Sequence, residues 1–203
     1  MRVLITGAAG FLGRKLTAAL AGDGLGPAGE ARRAVTGMTL WDQADNPGAA
    51  GTVIAGDLLD PANLASAFAE PPDAVFHLAA VVSAQAEADF DLGMRVNLDG
   101  TRALLEACRA AGNRPLFVTT SSVAAFGGAV PDPVPDGQAP TPRSTYGATK
   151  VIGELLVGDY ARKGFVDGRV IRLPTVAVRP GKPNKAASSF ASGILREPLN
   201  GIA

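Results

Sequence analysis

The segment RVLITGAAGFLG, residues 2–13, leaves a chain few folds to choose from. An uninterrupted apolar run ends at Gly7, Gly10 and Gly13, and Leu12, Leu16, Ala19 and Leu20 then recur at helical spacing. A buried strand must therefore turn sharply into a helix. Such a turn leaves backbone N–H groups and the positive end of the helix dipole facing outward, and glycine lets an anion come close to them. Phe11 and Leu12 lie in the first helical turn, so their amides belong to the same anion site. No Gly-Lys-Ser/Thr follows, which argues against a P-loop for nucleoside triphosphates.

The rest of the chain repeats the strand–helix alternation. Short apolar runs read as strands at 38–42, 52–58, 73–80, 115–122 and 168–176. Asp60 caps a short helix with Pro61 at its first position and Leu64 and Phe68 on one face. One long helix is expected over 86–111, stopped by Gly112, and another over 145–162, capped by Ser144 or Thr145 and stopped by Gly164. Between the fifth strand and that helix, GGAVPDPVPDGQAPTP is too rich in proline for regular structure. The tail after 176 shows no clear strand. The fold class this implies is α/β, a doubly wound parallel sheet with helices on both faces. Residues 1–176 form one domain, and 177–203 open a second, substrate-binding segment that is short or truncated.

Charge and composition exclude several functions. Nineteen basic and nineteen acidic side chains cancel, so nothing favours nucleic acid or an anionic membrane as partner. Cys108 is the only cysteine and reads as a small helix residue, and with one histidine, His77, multi-histidine zinc sites are ruled out. His77 itself reads as a packed strand residue. No apolar run approaches the roughly 20 residues of a membrane span, and MRVLITG is a strand start rather than a signal peptide. A cytoplasmic protein is expected.

Two further features carry chemistry. The fifth strand brings Thr119, Thr120, Ser121 and Ser122 to the carboxyl edge of the sheet, where ligands of open α/β sheets bind. In STYGATK, Tyr146 and Lys150 stand at i and i+4, one turn apart on one helix face. A phenol titrating near about 10 is a poor base at neutral pH, and a neighbouring ammonium favours its ionised form.

The glycine spacing G-x-x-G-x-x-G, the strand FVTTSSVAAFGG and the Y-x-x-x-K helix together resemble the extended short-chain dehydrogenase/reductases, the NAD-dependent epimerase/dehydratase family. The resemblance covers essentially the whole chain and implies a Rossmann fold, NAD as cofactor and an oxidoreductase. It points to Ser122 as the catalytic hydroxyl, with Thr120 and Ser121 open by register, to Tyr146 as acid/base, and to Lys150 as its electrostatic partner and a holder of the nicotinamide ribose. A positively charged nicotinamide joins the ammonium in favouring phenolate. Asp42, ending the second strand, accepts hydrogen bonds from the adenosine ribose and repels a 2′-phosphate, favouring NAD over NADP. Asp45 is its alternative, and Arg32 and Arg33 lie at the wrong end of the strand to meet a phosphate.

By the same resemblance Asp57 and Leu58 meet the adenine, Leu78, Ala79 and Ala80 line the cofactor, and Asn97 helps hold the active-site helix and a water. Pro174 and Thr175 neighbour the carboxamide. Ser83, Asn184 and Ser188, with Ser122 and Tyr146, are the candidate substrate contacts. Phe126 stands where the family pattern has a tyrosine. HLAAVVSAQAEADFDLGMRVNLDGTRALLEACRAAG and the final third are most similar to members that oxidise the 2-hydroxyl of a four-carbon sugar acid such as D-erythronate. The small-molecule substrate is then a sugar acid, or alternatively a nucleotide-sugar turned over by an epimerase or dehydratase. A non-catalytic NAD-binding protein is the remaining alternative. Helices 86–111 and 145–162 resemble the family's four-helix dimer contact, and that resemblance implies a homodimer.

Overall fold

The computed structural model describes residues 1–27, 29–45, 50–178 and 189–202. Six parallel strands, β1 (Arg2–Thr6), β2 (Gly37–Asp42), β3 (Thr52–Ala55), β4 (Ala74–His77), β5 (Leu116–Ser122) and β6 (Asp167–Leu173), lie in the order β3-β2-β1-β4-β5-β6. β1 is central, with Thr6 opposite Trp41 on one side and His77 on the other. The strand order reverses there, so the crevice at the carboxyl ends of β1 and β4 is where such a sheet binds ligands.

Alternation along each strand builds two cores. Leu4, Trp41, Val75 and Phe117 face one side and pack with Leu104, Leu105 and Cys108 from α5 (Gly100–Ala111) and Val157 from α6 (Thr145–Arg162). Val3, Ile5, Leu40 and Phe76 face the other side and meet Leu20 of α1 (Phe11–Asp23). Burying each of these large side chains is worth about 1.5–3 kcal/mol. Trp41 is fully buried, and its ring N–H donates to Gly56 O at 3.2 Å. Cys108 is a helix residue, as read from the sequence, and it is buried, which pushes its thiol up to about 12.

Several expectations change. The buried face of α1 is Gly13, Thr17 and Leu20, while Ala19 is exposed. β3 ends at Ala55, β4 at His77 and β6 at Leu173, short of the runs read from sequence. The residues beyond each end leave the ladder to form cleft walls. Helix 86–111 is not continuous: α3 (Ser83–Ala88) starts earlier, and Asp89 breaks it at φ −134° and ψ 91°. The Asp89 carboxylate accepts from Leu92 N at 3.0 Å and so starts α4 (Phe90–Gly93). A widened π-helical stretch, Met94–Asp99, then leads into α5. Such turns cluster at functional sites.

The remaining α-helices among the described residues are α2 (Pro61–Ala67), whose first turn is capped by the Asp60 carboxylate at 2.8 Å from Ala62 N, and α7 (Ser189–Leu199) in the tail, with a single 3-10 turn, Val123–Ala125, after β5. α7 was not legible in the sequence. Ser144, not Thr145, caps α6, its Oγ accepting from Gly147 N at 3.1 Å. The long connection before β2 folds on itself through paired bonds of 2.9 Å between Leu25 and Arg33, and Arg32 pairs with Asp23 at 3.2 Å. The two arginines therefore sit at the far end of β2, as its sequence implied.

Candidate active site

The three glycines of the first turn do different work. Gly7 has φ +73°, and a Cβ on it would fall 2.6 Å from Ala79 N, so the turn lies hard against the segment leaving β4. A Cβ on Gly13 would fall 2.2 Å from Gly7 O, which fixes how closely α1 packs on its own turn. Gly10 caps α1 and faces the crevice. The turn is pinned from below, with Gly7 N donating to Trp41 O at 2.8 Å and Ala9 N to the Asp42 carboxylate at 3.0 Å. The first-turn amides of α1 precede the first i→i−4 bond, given by Arg14 N to Gly10 O at 3.0 Å, and so have no acceptor within the helix.

A cleft of about 580 Å³ opens above this turn. Its walls include Gly7, Gly10, Phe11, Leu12, Gly13, Asp42, Asp57, Leu58, Leu78, Ala79 and Ala80, all anticipated from sequence. Asp42, not Asp45, is at the wall. The Asp57 carboxylate accepts from Leu59 N at 2.9 Å and pairs with Arg95 from the π-helical stretch, and these two partners hold it below the usual carboxylate range.

A second cleft of about 1050 Å³ adjoins the first and shares Leu12, Leu78, Ala80, Val82 and Val176 with it. Ser83, Ser122, Tyr146, Lys150, Pro174 and Thr175 line it together. Asn184 and Ser188 lie outside the described residues. Val81, Gln85, Leu92 and Val96 of the first cleft and Glu87 and Arg143 of the second were missed by the sequence reading. The apolar ones carry no signal, while Arg143, three residues before Tyr146, could have been noticed as a cation beside a candidate reacting group.

Strand alternation sets Ser121 apart and leaves Thr120 and Ser122 on one face, and all three border the second cleft. Ser122 lies close enough to the Tyr146 phenol to favour its ionised form, and its Oγ also accepts from Ala124 N at 3.1 Å. Ser121 points to the opposite face: its Oγ is buried near the Glu154 carboxylate without forming a well-made hydrogen bond. Glu154 is itself clamped by Arg172 at 2.8 and 2.6 Å, and Arg172 stacks 5.0 Å from the centre of the Phe126 ring. The phenylalanine that replaces the usual tyrosine is thus a packing surface for this ion pair.

Lys150 Nζ sits 5.6 Å from the centre of the Tyr146 ring, over its face. Burial lowers the Lys150 ammonium to about 8, and burial raises the Tyr146 phenol above its ordinary value, with Ser122 opposing that rise. The sequence expectation joins the ammonium to the charge of a bound nicotinamide in favouring phenolate; in the protein alone, desolvation is the largest influence on the phenol.

Asn97 does not line the first cleft. It is buried behind it, accepting from Val81 N at 2.8 Å and donating to Val81 O at 3.0 Å and Thr149 Oγ1 at 3.5 Å. It therefore ties the wall after β4 to α6, one residue from Lys150. His77 continues this line. Thr6 donates to His77 Nδ1 at 2.7 Å, and His77 Nε2 donates to Thr101 Oγ1 at 2.9 Å, which donates onward to Asn97 O at 2.7 Å. Burial, aided by the Lys150 charge, pushes the imidazole down to about 3, so it is neutral and structural.

Residues 3–201 match the NAD dependent epimerase/dehydratase family. D-erythronate dehydrogenase of Cupriavidus necator is 58% identical over 100% of the chain, and that of Haemophilus influenzae 46% over 99%. The chain spans 64% and 63% of the length of these two relatives. Among solved structures, a nucleoside-diphosphate-sugar epimerase from Agrobacterium tumefaciens superposes with a TM-score of 0.87 at 50% identity, covering 99% of this chain and 60% of that one.

Proposed function

The chain belongs to the NAD dependent epimerase/dehydratase family, and on that premise we propose that it is an NAD-linked dehydrogenase of small sugar acids, oxidising the 2-hydroxyl of a substrate such as D-erythronate. The observation that carries this reading is the convergence of Ser122, Tyr146 and Lys150 on one cleft that shares walls with the glycine-turn cleft. The two similar D-erythronate dehydrogenases support the choice of substrate.

The first cleft suits NAD. The turn amides and the amino end of α1 would meet its diphosphate, Asp42 its adenosine ribose, and Ala79 and Ala80 leave room along the wall. A 2′-phosphate would face the Asp42 carboxylate, so NADP fits worse. Asp57 and Leu58 would flank the adenine, and Pro174 and Thr175 the carboxamide. Bound there, NAD supplies the hydride acceptor. Ser122 donates to the substrate oxygen and stabilises charge on it. Tyr146 takes the proton of the 2-hydroxyl and returns it in the reverse direction. Lys150 holds its charge beside the phenol and reaches the nicotinamide ribose. Asn97 positions α6 without touching either ligand. Ser83, Asn184 and Ser188 remain our proposed substrate contacts. Residues 1–176 act as the dinucleotide domain and 177–203 begin the substrate segment.

The test is a screen of four-carbon sugar acids and nucleotide-sugars with NAD and NADP, following reduced dinucleotide. Net NADH with a sugar acid, weak or absent with NADP, is expected. Conversion of a nucleotide-sugar without net NADH would replace this reading with a second one, an epimerase or dehydratase. The likeness to the Agrobacterium structure favours that second reading. The protein is also proposed to be a homodimer through α5 and α6. Ile152 and Leu155, one turn apart on α6, are 37% and 69% exposed, an apolar face that a partner helix would cover. Sedimentation at micromolar concentration should give twice the chain mass, and a monomer there refutes the dimer.

A further inference from the structure

We propose that Arg143 is the carboxylate-binding residue of the second cleft. The inference rests on the sugar-acid reading and names the group that makes the cleft select an acid.

In a 2-hydroxy acid the carboxylate is bonded to the carbon that loses hydride. The group that binds it must therefore sit beside Ser122 and Tyr146. The charged side chains on the described wall are Glu87, Arg143 and Lys150. Lys150 lies over the Tyr146 ring, 5.6 Å from its centre, at the base of the cleft. Glu87 is engaged with the amino end of α6, its Oε2 accepting from Thr145 N at 3.0 Å. Arg143 is left as the cation at the mouth, and no described carboxylate pairs with it. A guanidinium matches a carboxylate with two parallel donors, which a lysine cannot do.

The side chain is exposed and lies over a glycine turn. Arg143 lies along Gly127 and Gly128, where a Cβ would fall 2.8 Å from its Cγ and from its Nη2 respectively. Side chains at either glycine would displace it. The proline-rich segment that carries Arg143 is closed at its base by Thr141, whose N donates to Ala125 O at 2.9 Å and whose Oγ1 donates to Gly127 O at 3.0 Å. Ser144, the residue after Arg143, caps α6. The backbone of Arg143 is thus held between a pinned loop and the helix that bears Tyr146, while its exposed side chain can turn toward an acid.

The test uses the full chain with NAD. Steady-state kinetics compare D-erythronate with its neutral amide for wild type, Arg143→Ala and Arg143→Lys, and calorimetry measures binding of both ligands to the NADH form. Arg143→Ala should raise KM and Kd for the acid about 10- to 100-fold with a smaller change in kcat, and Arg143→Lys should recover part of the loss. Affinity for the amide and for NAD should stay as in wild type. An acid KM unchanged in Arg143→Ala, or equal losses on acid and amide, overturns the inference and leaves the dehydrogenase reading standing. A wild-type chain that neither turns over nor binds any sugar acid overturns both.

Discussion

Tyr146→Phe is expected to lower turnover by roughly 10²–10⁴-fold, the range for losing a positioned general acid/base, while NAD still binds. The substitution removes one oxygen and keeps the ring that lies under Lys150 Nζ, 5.6 Å from its centre, so the helix and the first cleft are undisturbed. Because burial holds the phenol above its ordinary value, oxidation by wild type should speed up as pH rises and more phenolate forms. That pH response should be missing from the residual rate of the variant. Turnover of a confirmed substrate near the wild-type rate in Tyr146→Phe would remove this residue from the mechanism.

The second large effect is structural and depends on position within one helix. Gly13→Ala is expected to destabilise the fold by about 3 kcal/mol, lowering Tm by roughly 6–12 °C. Its new Cβ would meet Gly7 O at 2.2 Å and Ala8 Cα at 2.7 Å. Both are backbone atoms, pinned through Gly7 N and Ala8 N on Trp41 O at 2.8 and 3.3 Å, so neither can step aside cheaply. Gly22→Ala in the same helix meets nothing within 4 Å and should stabilise by about 0.5–1 kcal/mol, because alanine loses less entropy on folding. Denaturant unfolding of the two variants measures both numbers. Equal effects would mean that the close packing of α1 on its turn is not what Gly13 provides.

The sequence made the sheet and most of the cleft legible because both depend on local signals. Apolar runs locate each strand to within a few residues of its end, and strand ends are where this fold places its chemistry. Ser122, Tyr146 and Lys150 were found together because a strand end and a helix start carry them. What could not be read was tertiary. Nothing in EADFDLGMRVNLD says that Asp89 leaves helical geometry or that the turns widen at 94–99, since the compensating bonds go to Leu92 N and, through Asn97, to Val81. The burial of Tyr146 was hidden for a similar reason. Sequence spacing gives the i, i+4 neighbour but not the burial that outweighs it.

The placement of His77 bears on how the protein meets acid. The chain has one imidazole, and it is enclosed between Thr6 and Thr101 as a neutral ring that titrates at about 3. The described core consequently carries no imidazole that changes charge over the physiological range, and the line from the glycine turn to α6 transmits position without responding to protons. Sensitivity to mild pH change is left to the clefts, where Lys150 titrates at about 8. Between pH 6.5 and about 3 the unfolded chain takes up a proton on this imidazole that the folded chain refuses, so stability falls as pH falls through that window. Acid reaches the interior of this protein by opening it, not by tuning it.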